Sequence, residues 1–141
     1  MLYLSYGMNT NVEEMSIRCP NAISLGKCSL EDHRLVFCGH ADVEESIGDT
    51  MECVLWDITT ECEYSLDILE GYPHYYDKKM VDINYKGSVR QAMIYYMVGG
   101  YDNYRSPDAY YQSMLEEGYQ YHGIPLSQIY EAVGFEVEFA T

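Results

Sequence analysis

The stretch TECEYSLDILEG, residues 60–71, limits the possible folds more than any other, because it marks a helix at both ends and sits between β-rich sequences. Thr60 and Glu63 form a T-x-x-E capping box, and Gly71 falls just past the helix end. Cys62, Leu66 and Leu69, at i, i+4 and i+7, make the buried stripe of a helix over residues 61–70. Upstream, Leu2 to Leu4 is a first strand that breaks into Tyr6-Gly7-Met8-Asn9, an order unsuited to a tight Asn-Gly hairpin. NVEEMSIRCP predicts one or two helical turns halted by Pro20. AISLGKCSLEDHRLVFCGHADV predicts two strands joined by Glu31-Asp32. GDTMECVLWDIT predicts another, apolar at Met51, Cys53, Leu55 and, after a change of phase, Trp56. Downstream, two β-rich runs flank Lys86-Gly87-Ser88 as a hairpin. Ser106-Pro107 opens a helix closed by Gly118, and Pro125 opens a short one ended by Gly134. FEVEFA alternates strictly and predicts a terminal strand. With strands first and last and helices clustered late, the expected architecture is α+β: a curved, mostly antiparallel sheet or small β-barrel with a few peripheral helices. One domain over residues 1–141 accommodates it.

Charge removes several partners. The net charge is −15, and the densest basic cluster is the pair Lys78-Lys79. Nucleic acid and anionic membrane surfaces both require a basic footprint. No apolar run approaches the ~20 residues of a membrane span, and the N-terminus lacks a basic segment leading into an apolar one. The expected location is the cytoplasm. Five cysteines without a CxxC suit buried thiols in a reducing compartment better than a disulfide framework. Sixteen tyrosines against three phenylalanines predict a concave surface partly lined with phenols.

Glu70 stands out by position. Four residues after Leu66, it lies about 40° around the helix from that core residue, on the flank of the apolar stripe. The negative end of the helix dipole disfavours a carboxylate there by roughly 0.3–1 kcal/mol. Partial burial pushes its pKa the same way, towards a value useful for proton transfer near neutrality. The alternative is a side chain curled outward into water.

Other chemistries lack their residues. The four histidines are scattered, and Cys38-Gly39-His40 is the one close Cys/His pair, so no metal site is expected. There is no G-x-S-x-G elbow, no G-x-G-x-x-G and no P-loop. No cofactor is expected. An enzyme of this kind needs a substrate that supplies its own nucleophile.

Four segments resemble, in order, those of the γ-glutamylcyclotransferase-like (AIG2-like) family. YLSYGMN at 3–9 resembles its Y-G-S-N loop, and MSIRCPNA at 15–22 its M-x-x-R-x-P-x-A stretch. LDILEGYPHYYDKKMV at 66–81 resembles L-D-x-x-E-G-x-P-x-x-Y, and SPDAYYQSMLEEGYQYHGIP at 106–125 the P-S-x-x-Y…G…G-L-P tail. Met8 replaces the usual Ser, which removes a hydroxyl and keeps the backbone N–H. Cys53 stands where a Gly is common.

The resemblance implies cleavage of a γ-glutamyl amide by the substrate's own α-amino group, with release of 5-oxoproline and an amine or amino acid. Intramolecular ring closure already brings the reacting groups together. It implies Glu70 as the acid/base. The N–H groups of Gly7, Met8 and Asn9, walled by Tyr6, would form an anion cradle. Gly7 would let the backbone approach closely, and Asn9 would stiffen the bend by local hydrogen bonds. Tyr76 is expected near the pocket, while Tyr110 is either a pocket or a core residue. Arg18 either braces the loop or lies exposed. Asn9 leans away from glutathione as substrate. The expected partner is a small γ-glutamyl compound, and the expected state a monomer or weak homodimer. The competing reading is a non-catalytic binding module that captures a γ-glutamyl or other carboxylated metabolite or a protein partner.

Overall fold

A computed structural model describes residues 1–99 and 103–140. Its strands are β1 (Leu2–Ser5), β2 (Ile23–Cys38), β3 (His40–Asp57), β4 (Tyr76–Tyr85) and β5 (Ser88–Met97). They form one sheet in the order β2-β3-β1-β5-β4. The helices are α1 (Val12–Arg18), α2 (Thr60–Leu69), α3 (Ala109–His122) and α4 (Ser127–Ala140), with a 3-10 turn at Met8–Thr10. β1 pairs antiparallel with β3 and parallel with β5, and the two hairpins are antiparallel. The outer strands β2 and β4 touch, so the sheet curls towards closure. This is the expected α+β architecture with a curved, mostly antiparallel sheet. β1 lies at its centre, with Tyr3, Leu4, Ser5 and Tyr6 all buried.

The long β2–β3 hairpin differs from expectation. Glu31-Asp32 does not join two strands: it is an irregularity inside one 16-residue strand, and the hairpin turns at Gly39, whose φ is 84°. Asp32 adopts φ 61°, and its Oδ1 accepts a 3.0 Å bond from the Gly48 N–H. An Asp that bonds backbone locally tolerates the left-handed region, so it makes a bulge as readily as a turn. The β4–β5 turn is as expected, with Lys86 and Gly87 both at positive φ, as a two-residue primed turn demands.

Four helix ends differ from expectation. Thr59, not Thr60, caps α2 by accepting the Cys62 N–H at 3.1 Å. Gly71, at φ 65°, does terminate it. Cys62 and Leu66 are buried, but Leu69 is 51% exposed, so the stripe ends a turn early. Asp108 rather than Ser106 caps α3. α3 passes through Gly118 and stops at Gly123. A Cβ on Gly118 would lie 2.5–2.7 Å from Thr10 and Asn11 atoms, two of them backbone, so this glycine lets α3 press against the loop after β1. α4 continues through Gly134 to Ala140, where a strand was expected. An added strand needs an open sheet edge, and here the two edge strands face each other.

Cys19 and Cys62 form a disulfide that ties the end of α1 to α2, contrary to the reading of all five cysteines as thiols. Their separation of 43 residues hides the proximity. Cys28, Cys38 and Cys53 are buried thiols. Among the described residues no helix is long and apolar enough to cross a membrane.

Candidate active site

Where β1 breaks off, the chain turns back under α3 and faces the end of α2, enclosing a cavity of about 290 Å³. Tyr6, Gly7, Met8, Asn9, Glu70 and Tyr76 all line it, together with Tyr3, Arg18, His40, Tyr75, Tyr95 and Tyr111. Gly7 is needed for space rather than for backbone freedom. Its φ is −119°, but a Cβ would meet Ala41 Cβ at 2.9 Å and Tyr111 Oη at 3.1 Å. Its carbonyl accepts both the Thr10 N–H and the Thr10 hydroxyl. The N–H groups of Met8 and Asn9 open the 3-10 turn and so have no carbonyl to pair with inside it.

Asn9 does not stiffen the bend by a local side-chain-to-backbone bond. Ser5 Oγ does that, donating to the Asn9 carbonyl at 3.0 Å while accepting from Trp56 Nε1 at 3.0 Å. The buried Asn9 amide reaches across the cavity instead: Nδ2 donates to Tyr3 Oη at 3.0 Å and to Glu70 Oε1 at 3.3 Å. Arg18 braces the loop by donating to Asn9 Oδ1 at 2.7 Å.

Glu70 is the C-cap of α2 and half-buried, its carboxyl turned into the cavity rather than out to water. Burial raises its pKa from 4.5 to about 7, against the opposing pull of the Arg18 charge and the Asn9 hydrogen bond. The two anticipated tyrosines have committed hydroxyls. Tyr6 donates to the Tyr95 carbonyl at 2.7 Å, and Tyr76 donates to the Ala41 carbonyl at 2.6 Å. Both serve as walls. Burial pushes both phenols well above their ordinary range, so they stay neutral.

Sequence reasoning missed Tyr111 by one position. Tyr110 is 68% exposed, in neither pocket nor core. Tyr111 lines the cavity, and its Oη accepts the Ala41 N–H at 3.0 Å while retaining its own O–H as a donor. The signal lay in the helix period: Tyr111, Leu115 and Tyr119 at i, i+4 and i+8 mark the inward face of α3. At the mouth, the exposed His40 shares a 2.7 Å hydrogen bond with Tyr75. Among the described residues no group of three or more His, Cys, Asp or Glu side chains is placed to hold a metal.

The arrangement offers a carboxyl that titrates near neutrality, a run of backbone donors opposite it, and a wall of neutral phenols. Among the described lining residues the one aliphatic hydroxyl, Ser5, is already committed to the Asn9 carbonyl and to Trp56. A family model described as "Gamma-glutamyl cyclotransferase, AIG2-like" matches residues 3–118. The solved structure of a "Gamma-glutamyl cyclotransferase" is 25% identical, with a TM-score of 0.80 over 94% of this chain and 85% of that one. An uncharacterized protein from Homo sapiens, also 25% identical, gives a TM-score of 0.79 over 93% and 85% of the two chains. YkqA from Bacillus subtilis, 19% identical, shares the fold with a TM-score of 0.78, covering 96% of this chain and 54% of that one. A direct comparison with curated protein sequences finds no match.

Proposed function

The chain belongs to the gamma-glutamyl cyclotransferase, AIG2-like family, and on that premise we propose that it cleaves a γ-glutamyl amide with Glu70 as acid and base. The α-amino nitrogen of the substrate attacks its own γ-carbonyl, closing a five-membered ring. The new C–N bond forms as the original amide C–N bond breaks, giving 5-oxoproline and a free amine or amino acid. Glu70 relays two protons in turn, one taken from the attacking ammonium and one shed as the α-nitrogen becomes the lactam N–H, and passes both to the leaving nitrogen, which departs as an ammonium. A carboxyl with a pKa of about 7 can do both near neutral pH, because neither its acid nor its base form is scarce.

The N–H groups of Gly7, Met8 and Asn9 would hold the substrate's carboxylate or the developing oxyanion. Backbone donors suit a protein of net charge −15, since long-range repulsion is screened beyond ~8 Å at physiological salt and local amides then decide binding. Tyr6 and Tyr76 shape the cavity. The observation that carries the reading is the placement of Glu70, which turns a half-buried carboxyl into the cavity opposite that loop.

The test is incubation with γ-glutamyl amino acids, γ-glutamyl amines and glutathione, with 5-oxoproline followed by mass spectrometry. Release from at least one compound is expected, with near-complete loss in Glu70→Gln. Full activity in that variant would remove the mechanism. Binding without turnover across the whole panel would favour a capture module instead.

A further inference from the structure

The reading just given requires Glu70 to be held in one place and to shed its proton near neutrality. We propose that Arg18 is a positioning residue for Glu70, holding it through the side-chain amide of Asn9 and supplying the cation of the cavity wall. This rests on the acid/base reading and goes beyond it.

A guanidinium carries donors only, so the atom of Asn9 that it touches at 2.7 Å must be the oxygen. The amide nitrogen is thereby turned towards Tyr3 Oη and Glu70 Oε1. With the amide reversed, Asn9 would set oxygen against the Glu70 carboxylate, acceptor against acceptor. Arg18 is itself steadied by Glu14 one turn earlier, at 3.5 Å. The next residue, Cys19, is bonded to Cys62 on α2, the helix that ends at Glu70. The helices that carry the two ends of the relay are therefore cross-linked.

The ionisable groups lining the cavity around Glu70 come from every neighbouring element: Tyr3 on β1 and Tyr6 just after it, Arg18 on α1, His40 on β3, Tyr75 just before β4 and Tyr76 on it, Tyr95 on β5 and Tyr111 on α3. Burial keeps the phenols of Tyr3, Tyr6, Tyr76, Tyr95 and Tyr111 neutral, Tyr75 is hydrogen-bonded to His40, and His40 is exposed at the mouth. Arg18 is thus the permanent cation among the described lining residues. It opposes the burial that raises the carboxyl.

Arg18→Met and Arg18→Lys test this, each read in two ways. Carbon-13 NMR of glutamate-labelled protein follows the Glu70 carboxyl directly, without turnover, and kinetics follow kcat, KM and the pH profile. In Arg18→Met the Glu70 midpoint is expected to rise by about one pH unit, the lower end of what a neighbouring opposite charge achieves. At pH 7 kcat should fall roughly fivefold or more, with KM within about twofold, as the deprotonated fraction shrinks. Arg18→Lys should hold the midpoint near that of the parent while recovering only part of kcat, since an ammonium keeps the charge and loses the planar fork. An unchanged midpoint in Arg18→Met overturns the proposal. So does a loss confined to KM, which would make Arg18 a ligand for the substrate's carboxylate. If Arg18→Met fails to fold, a parental kcat in Arg18→Lys overturns the proposal, and reduced kcat with an unmoved midpoint supports it. If the parent protein releases 5-oxoproline from nothing, the functional reading fails while the NMR midpoints still decide the role of Arg18.

Discussion

Asp67 and Glu70 stand three residues apart on α2, and the protein treats them in opposite ways. Asp67 accepts from Lys78 Nζ at 2.8 and 2.9 Å and from the Tyr95 hydroxyl at 2.6 Å. Lys78 also donates to Glu63 at 2.8 Å, so one ammonium on β4 and one phenol on β5 lock two turns of α2 to the sheet. The side chain of Glu70 has one donor among the described residues, the Asn9 amide at 3.3 Å, and burial lifts its pKa to about 7. A carboxylate with its full set of donors is a good strut and a poor base, because its lone pairs are already engaged. On the proposed mechanism the same helix needs both. Fixing α2 through Asp67 allows Glu70 to remain short of donors at a defined place.

The largest expected effect tests whether chemistry lies only at the second carboxylate. Glu70→Gln should cut the rate of 5-oxoproline release by about 10³-fold, within the usual range for removing a general acid or base. Asp67→Asn should change the same rate by less than about tenfold, because it leaves every proposed reacting group in place. Equal losses in the two variants, both with parental circular dichroism spectra, would break the comparison.

Stability should show the reverse ranking. Asp67→Asn removes the charge behind the three bonds that Asp67 accepts and leaves Glu63 as the carboxylate paired with Lys78. The expected loss is about 2 kcal/mol, the range for hydrogen bonds to charged groups, read as a lower urea midpoint at pH 7 with an unchanged slope. A loss below about 0.5 kcal/mol would show that Asp67 is an ordinary surface ion-pair partner rather than a brace.

Glu70 was legible in the sequence because its environment follows from local geometry. Its angle to Leu66 and the stop at Gly71 together place it at the flank of a helix end, and the structure has it half-buried there. The Lys86-Gly87 turn was legible for the same reason, since both residues sit at positive φ within a short loop. The brace was not. Asp67, Lys78 and Tyr95 come from three elements, and nothing in one-dimensional spacing marks them as neighbours. The Cys19–Cys62 bond and the Arg18–Asn9–Glu70 relay were hidden likewise, the relay at its Glu70 end. Glu31-Asp32 misled for a different reason: a polar pair with a left-handed residue fits a turn or a bulge, and only the pairing partner, with Gly48 opposite, decides between them. Tyr111 falls between these cases. Its helical period was present in the sequence, but the adjacent Tyr110 matched the family pattern.

The smallest effect is the sharpest, because it predicts opposite signs for two neutralised carboxylates on one helix. Glu70 has a folded-state pKa of about 7, above the 4.5 of an unhindered side chain, so between those values the folded protein binds more protons than the unfolded chain. Stability then falls as pH rises through that window, and above it the buried charge is a constant cost. A shift of this size sets a ceiling of ~3.4 kcal/mol. Water reaching a half-buried side chain should reduce the effect to about 1–2 kcal/mol. Glu70→Gln keeps an oxygen to accept from Asn9 and removes the charge. It should therefore be more stable than the parent at pH 8 by about 1–2 kcal/mol and indistinguishable from it below pH 4. Urea titrations of the two proteins at a series of pH values measure the difference directly. A Glu70→Gln variant less stable than its parent at pH 8 would mean that the carboxylate is held by more than one amide, which would make it a second strut and leave the cavity without its base.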